Sequence, residues 1–263
     1  MNRKWPIIGI CCLLFTMAGC GSKQENYGKE NKSKAFNFYK NALAQTNSEN
    51  AFKANIYVSN DYKYTDEKDD DNDYEHESEL DFNLKENNIN DTDKLEFKVD
   101  GSMSVDGQKI NLVTYMKDKV TYNTYSGYKY KQSYDSDKDQ TNLVFKQSSL
   151  KKSQIRKAYY SESNGVTIVT FLLSLDTGKT YLSDSLDSDQ LKLVDLDNFD
   201  DLRMTIKIGK DGYLKEMKTE IDFKLKSEKT IIASNILLKI DYRNFETQKI
   251  DWPDFSQYQE LNQ

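Results

Sequence analysis

The chain has 263 residues, 30% of them charged, and a formal net charge of −6. One histidine and three cysteines leave little from which to build a Ser/His/Asp or Cys/His triad or a zinc site, and the acidic balance provides no basic footprint for nucleic acid. Only 2 prolines and 11 glycines stand beside 18 tyrosines and 12 phenylalanines, which suits an aromatic-rich folded sheet and not a disordered stalk.

The chain opens with Arg3 and Lys4 followed by an apolar stretch over residues 7–15, too short to span a bilayer permanently, in the arrangement of an export signal. Next comes Met17-Ala18-Gly19-Cys20, which resembles the lipobox of bacterial lipoproteins, with Met17 where leucine is usual. The resemblance implies that residues 1–19 are removed and that Cys20 carries the lipid. A thiolate is a good nucleophile for acquiring a diacylglyceryl group, and several buried acyl chains, at about 0.8 kcal/mol per methylene, hold a protein far better than one myristoyl group. Cys11 and Cys12 leave with the signal, so neither a disulfide nor a free thiol is expected afterwards. Losing Arg3 and Lys4 takes the charge from −6 to −8, which disfavours adhesion to anionic headgroups and leaves attachment to the covalent anchor. Residues 20–32 read as a polar tether. The remainder, 33–260, reads as one folded unit, since no proline- or glycine-rich linker interrupts it.

Residues 33–45 place Phe36, Tyr39, Ala42 and Leu43 at helical spacing, which predicts a short amphipathic helix in need of a sheet to cover. The sheet follows. Phe52, Ala54, Ile56 and Val58 alternate with polar residues, as do Leu80, Phe82 and Leu84, and then Leu95, Phe97, Val99, Met103 and Val105. A period of two with one apolar face predicts half-buried strands. Asp106-Gly107, Asn164-Gly165 and Asp211-Gly212 predict tight reversals joining sequential strands, and a long final strand is expected over 230–242. Sequential hairpins make the sheet antiparallel. Val166–Leu173 is apolar on both faces and is expected to be a central, doubly covered strand. Residues 141–152 suggest a second short helix, whereas 176–199 show no clear period.

This order of lipobox, polar tether, amphipathic helix and antiparallel meander resembles the LolA, LppX and LprG superfamily of lipoprotein and lipid carriers. The aromatic hairpin from Thr114-Tyr115-Met116 through Tyr122 to Tyr125-Ser126-Gly127-Tyr128-Lys129-Tyr130 adds to the likeness, as does the ending Ile240-Asp241-Tyr242 followed by Ile250-Asp251-Trp252-Pro253. The resemblance implies a mainly β (α+β) fold: a curved antiparallel sheet or open half-barrel, with one to three short helices on its concave face. It also implies an apolar cavity between sheet and helices. The residues expected to line that cavity are Phe36, Tyr39, Leu80, Phe82, Leu84, Leu95, Phe97, Val99, Met103, Met204, Ile206 and Met217.

The acidic run over 66–79 lacks the glycine and the terminal glutamate of a calcium loop, and His76 within it is expected to be merely solvated. Tyr122, Tyr125, Tyr128, Tyr130 and Tyr134 form a stripe for which cross-strand packing outweighs sugar stacking. No nucleophile, base, metal set or cofactor motif can be named, so a non-catalytic, monomeric lipoprotein binding a lipid or lipidated envelope molecule is the reading, with no nucleic-acid partner. The rival is a solid-cored module that contacts a protein or wall polymer. Richness in Lys, Asn, Ile and Tyr points to a Gram-positive source, which would put the anchor on the outer face of the plasma membrane.

Overall fold

The computed structural model describes residues 27–66, 73–133, 150–174, 176–177, 201–226 and 230–260. One helix, α1 (Lys32–Asn47), is capped by Asn31, whose side chain accepts the Lys34 N–H at 3.0 Å, and its C-terminal end is closed by the Ser48 N–H on the Ala44 carbonyl. Ala35, Tyr39, Ala42, Leu43 and Thr46 form its buried stripe.

The strands, in chain order, are β1 (Lys29–Glu30), β2 (Ala51–Asp66), β3 (Tyr74–Asn87), β4 (Glu96–Val105), β5 (Gln108–Lys117), β6 (Val120–Tyr125), β7 (Tyr128–Ser133), β8 (Ile155–Ser163), β9 (Val166–Leu173), β10 (Asp201–Ile208), β11 (Leu214–Lys226), β12 (Thr230–Asn244) and β13 (Gln259–Glu260). They form one open sheet in the order β1-β8-β9-β10-β11-β12-β2-β3-β4-β5-β6-β7-β13. Neighbours are antiparallel except the short β13, which lies parallel to β7. The fold is therefore mainly β, a curved open sheet with a helix on one face, as the alternation requires. The long ladder between β12 and β2 joins the two ends of the chain, with Ile240 opposite Ile56 and Leu238 opposite Val58.

Asp106-Gly107 and Asn164-Gly165 make the predicted two-residue reversals, both residues of each pair having positive φ. Asp211-Gly212 does not: the β10–β11 connection spans Gly209 to Tyr213, whose backbones bond at 3.0 Å, and only Gly212 has positive φ. Val166–Leu173 is central, between β8 and β10, but its outer face is covered only in part. Thr170 and Leu172 are buried while Ile168 is 39% exposed. The suggested helix over 141–152 and the stretch 176–199 fall almost wholly outside the described residues; Lys152–Gln154 is a 3-10 turn that leads into β8.

β2 and β3 are longer than the apolar alternation indicates. Tyr74–Asn87 is strand, so the second half of the acidic run is sheet and not loop tip. His76 is accordingly not solvated in a loose segment. It is half-buried on β3 opposite Tyr62, with Nδ1 2.6 Å from the Asp106 carboxylate and its ring 4.8 Å from that of Tyr62. Its partners come from β2 and from the turn before β5, not from its polar neighbours in the chain.

Candidate functional site

Register assigns each strand residue to one of two faces, and α1 defines the inner one. Over β8–β11 that face is solid. The Tyr39 ring meets Phe171 edge-on at 5.6 Å, Phe38 lies 5.6 Å from Tyr160, and Ala158, Val169, Phe171, Ile206 and Leu214 are wholly excluded from solvent. Two backbone donors beside the helix find side-chain acceptors on it: the Leu150 N–H donates to the Tyr39 hydroxyl at 3.1 Å, and the Leu214 N–H to Thr46 Oγ1 at 3.1 Å.

Over β2–β5 and β12 the same face changes character. Val58, Leu80, Phe82, Val99, Met103 and Leu112, with Ile236 and Leu238 of β12, are in inner register but only half-buried. Gly101 sits opposite Phe82 in the middle of this strip, and the Phe82 ring covers the space a side chain there would take. Further along the same strands the inner rows become polar and aromatic, running from Val58 to Asn60 and Tyr62 on β2 and from Leu80 to Ser78 and His76 on β3. β12 repeats the gradient from Leu238 and Ile236 to Ser234.

At that end lies a cavity of about 720 Å³. Tyr62, His76, Phe223 and Ser234 line it from the inner register, and Asp106-Gly107 lines it from the β4–β5 turn. Charged residues of the opposite register, among them Lys63 and Glu75, an ion pair at 3.2 Å, complete its rim. Phe223 is buried and Tyr62 half-buried, so the cavity presents aromatic walls with carboxylates and amines around them.

The twelve residues expected to line a cavity divide between two environments. Tyr39, Leu84, Leu95, Phe97, Met204, Ile206 and Met217 are buried in the core, whereas Phe36, Leu80, Phe82, Val99 and Met103 are half-buried. None of the twelve is among the residues lining the 720 Å³ cavity. Met17, Ala18, Gly19 and Cys20 lie outside the described residues. His76 and Tyr62 were missed as site residues because an acidic sequence context masks a strand whose inward positions are polar; the alternation of Tyr62, Tyr64 and Tyr74 with charged residues was the available signal.

The tyrosine stripe does not exist as a single surface. Tyr125 and Tyr128 form an inner-register pair, 39% and 77% exposed, while Tyr122 points to the outer face. Tyr134 lies outside the described residues. On the outer face the end of the chain crosses β5–β7. Phe255 stacks on Tyr122 at 3.8 Å, Trp252 lies 6.0 Å from Tyr115, and the Tyr258 and Thr124 hydroxyls are 3.1 Å apart. The 250–253 motif is thus part of an aromatic clasp on the side away from α1.

No family model matches the chain, and no curated protein matches it. Solved structures do. The chain is similar to LprF from Mycobacterium bovis, at 12% identity and a TM-score of 0.44, over 87% of this chain and 99% of that one. It is similar also to the lipoprotein LppX from Mycobacterium tuberculosis, at 10% identity and a TM-score of 0.41, over 84% and 99% of the two chains.

Proposed function

We propose that the protein is a non-catalytic lipoprotein, held through Cys20 on the outer face of the membrane, whose sheet binds an amphiphile from the envelope. The observation that supports this is the gradient along the inner face of β2, β3 and β12: half-buried aliphatic rows give way to Tyr62, His76 and Ser234 beside the 720 Å³ cavity. Four residues of strand separate Val58 from Tyr62, about 13 Å, so one ligand of ordinary acyl length reaches both regions. Its chain lies on Val58, Phe82, Val99 and Leu238, and its polar end sits among the cavity groups. Binding of this kind needs apolar surface with a few polar groups for orientation, and the half-buried rows beside Tyr62, His76 and Ser234 support it.

The test is titration with a fluorescent fatty acid, using Val99→Asp and Leu238→Asp. Each buries a carboxylate against the acyl chain, and binding should weaken at least about tenfold, a loss of about 1.4 kcal/mol. Unchanged affinity in both variants, with native circular dichroism, would remove the ligand from this face. Anchoring is tested separately by labelling cells with radioactive palmitate: the wild type should carry label and Cys20→Ala should not.

A further inference from the structure

The overall negative charge conceals an uneven distribution. β1 and the first turn of α1 are laced to β8: the Asn31 N–H donates to the Ala158 carbonyl at 3.0 Å, Lys32 Nζ donates to the Ile155 carbonyl, and Lys152 Nζ reaches Ser33 Oγ at 2.8 Å. These contacts gather Lys29, Lys32, Lys151, Lys152, Arg156 and Lys157 at one edge of the sheet, all exposed except the half-buried Lys32. Among the described residues, the acids at this edge are Glu30 and Asp176, with Glu162 already engaged by Lys34 at 3.2 Å. Among the described residues at this edge, six basic side chains thus stand beside two acidic ones, on a chain whose total charge is −6.

The distance of this edge from Cys20 is limited by covalent geometry. Tyr27 is fastened to the sheet: Arg203 Nη1 donates to its hydroxyl at 2.9 Å, and its ring lies 5.4 Å from that of Tyr159. Gly28 follows with φ +94°, pressed so closely on the Tyr160 carbonyl that no side chain fits there. Seven residue steps separate Cys20 from Tyr27, and a fully extended chain of that length spans at most about 25 Å. The basic edge therefore begins two residues beyond a fixed point that stays close to the anchored bilayer.

We infer that this edge docks on the headgroups of anionic phospholipids in the leaflet that takes the Cys20 acyl chains; the inference rests on the anchoring proposed above. Each basic side chain brought to an anionic leaflet favours the docked state about fivefold, and the attraction decays within a Debye length of about 8 Å, so it acts only where the domain is already held near the surface. The tether supplies that proximity and the edge supplies orientation. Five strand spacings, about 24 Å, then separate the docked β8 from β2 and the ligand-binding half of the inner face.

The experiment uses the chain purified from membranes and reconstituted into vesicles of phosphatidylcholine alone or with phosphatidylglycerol, with lysine acylation rates read by mass spectrometry. In the mixed vesicles at low salt, Lys29, Lys151, Lys152 and Lys157 should label at least about fivefold more slowly than in phosphatidylcholine, while Lys63, Lys109 and Lys249 keep their rates. High salt should abolish the protection, and so should K29E/K151E/K157E, read at Lys32 and Lys152. Equal rates in the two vesicles, or equal slowing of Lys63 and Lys109, would overturn the docking. Co-sedimentation with phosphatidylcholine vesicles at high salt reports the anchor independently. Its loss would refute the anchoring, whereas co-sedimentation with unprotected lysines would refute the docking alone.

Discussion

Replacement of Gly101 by alanine probes the geometry of the inner face most sharply. A methyl group there would lie 2.7 Å from Phe82 Cδ1 and 2.8 Å from Phe82 Cα, and inside the van der Waals envelope of the Asp81 carbonyl oxygen. Two of these three atoms are backbone and cannot swing aside, so β3 and β4 must part locally and the Phe82 ring must leave its place over the glycine. Overpacking costs about 1–3 kcal/mol, and the rigid neighbours put this site at the upper end. Relief of glycine's conformational entropy returns about 0.5–1 kcal/mol, leaving a net loss of about 2 kcal/mol. In a domain of this size that lowers Tm by about 4–8 °C. Thermal melts followed by circular dichroism measure it, and the fatty-acid titration should show weaker binding because Phe82 has moved. A Gly101→Ala protein that melts at or above the wild-type temperature would refute the close approach of β3 and β4 described here.

Tyr39→Phe keeps the edge-on contact with Phe171 but strips the buried Leu150 N–H of its acceptor, so urea unfolding should show a loss of about 1–3 kcal/mol. Burial pushes the Glu220 carboxyl up, but hydrogen bonds from Arg203 Nε at 3.0 Å and Lys218 Nζ at 2.8 Å outweigh it and hold the group below its ordinary value. Its contribution is therefore complete above the unfolded carboxylate value of about 4.3 and is lost as pH falls through the lower folded value; Glu220→Gln should flatten the fall of stability below about pH 4.3. Phe255→Ala removes the ring stacked on Tyr122 and should loosen the clasp at a cost of about 1–2 kcal/mol, read as faster amide exchange in residues 250–260 and a red shift of Trp252 emission.

Where alternation of apolar residues is strict, sequence and structure agree closely, because a half-buried strand needs nothing more than that pattern. The apolar residues of Phe52 to Val58, Leu80 to Leu84 and Phe97 to Val105 fall on the inner face, and the helix predicted over 33–45 is α1, which starts one residue earlier and ends two later. The pattern fails where the inner face turns polar. Asn60, Tyr62, His76 and Ser78 continue the ladder without apolar residues, so the strands ran on unseen and the cavity formed by their ends was not anticipated. Residue spacing also says nothing about depth: Leu84 and Leu80 are alike in sequence, yet Leu84 is wholly buried and Leu80 only half. The separation of Tyr122 from Tyr125 follows from strand geometry alone, but the segment that stacks on Tyr122 comes from more than a hundred residues away, and no local signal carries that pairing.

The central claim is that the half-buried rows of β2–β5 and β12 hold an amphiphile. Native mass spectrometry of the protein extracted from its own membranes in mild detergent tests it directly, with wild type and Leu238→Asp compared side by side. The wild type should carry one noncovalent adduct of lipid mass, released on activation and depleted in the variant, in addition to any covalent acyl mass at the chain's start. A wild-type spectrum showing only the covalently modified protein would contradict the account.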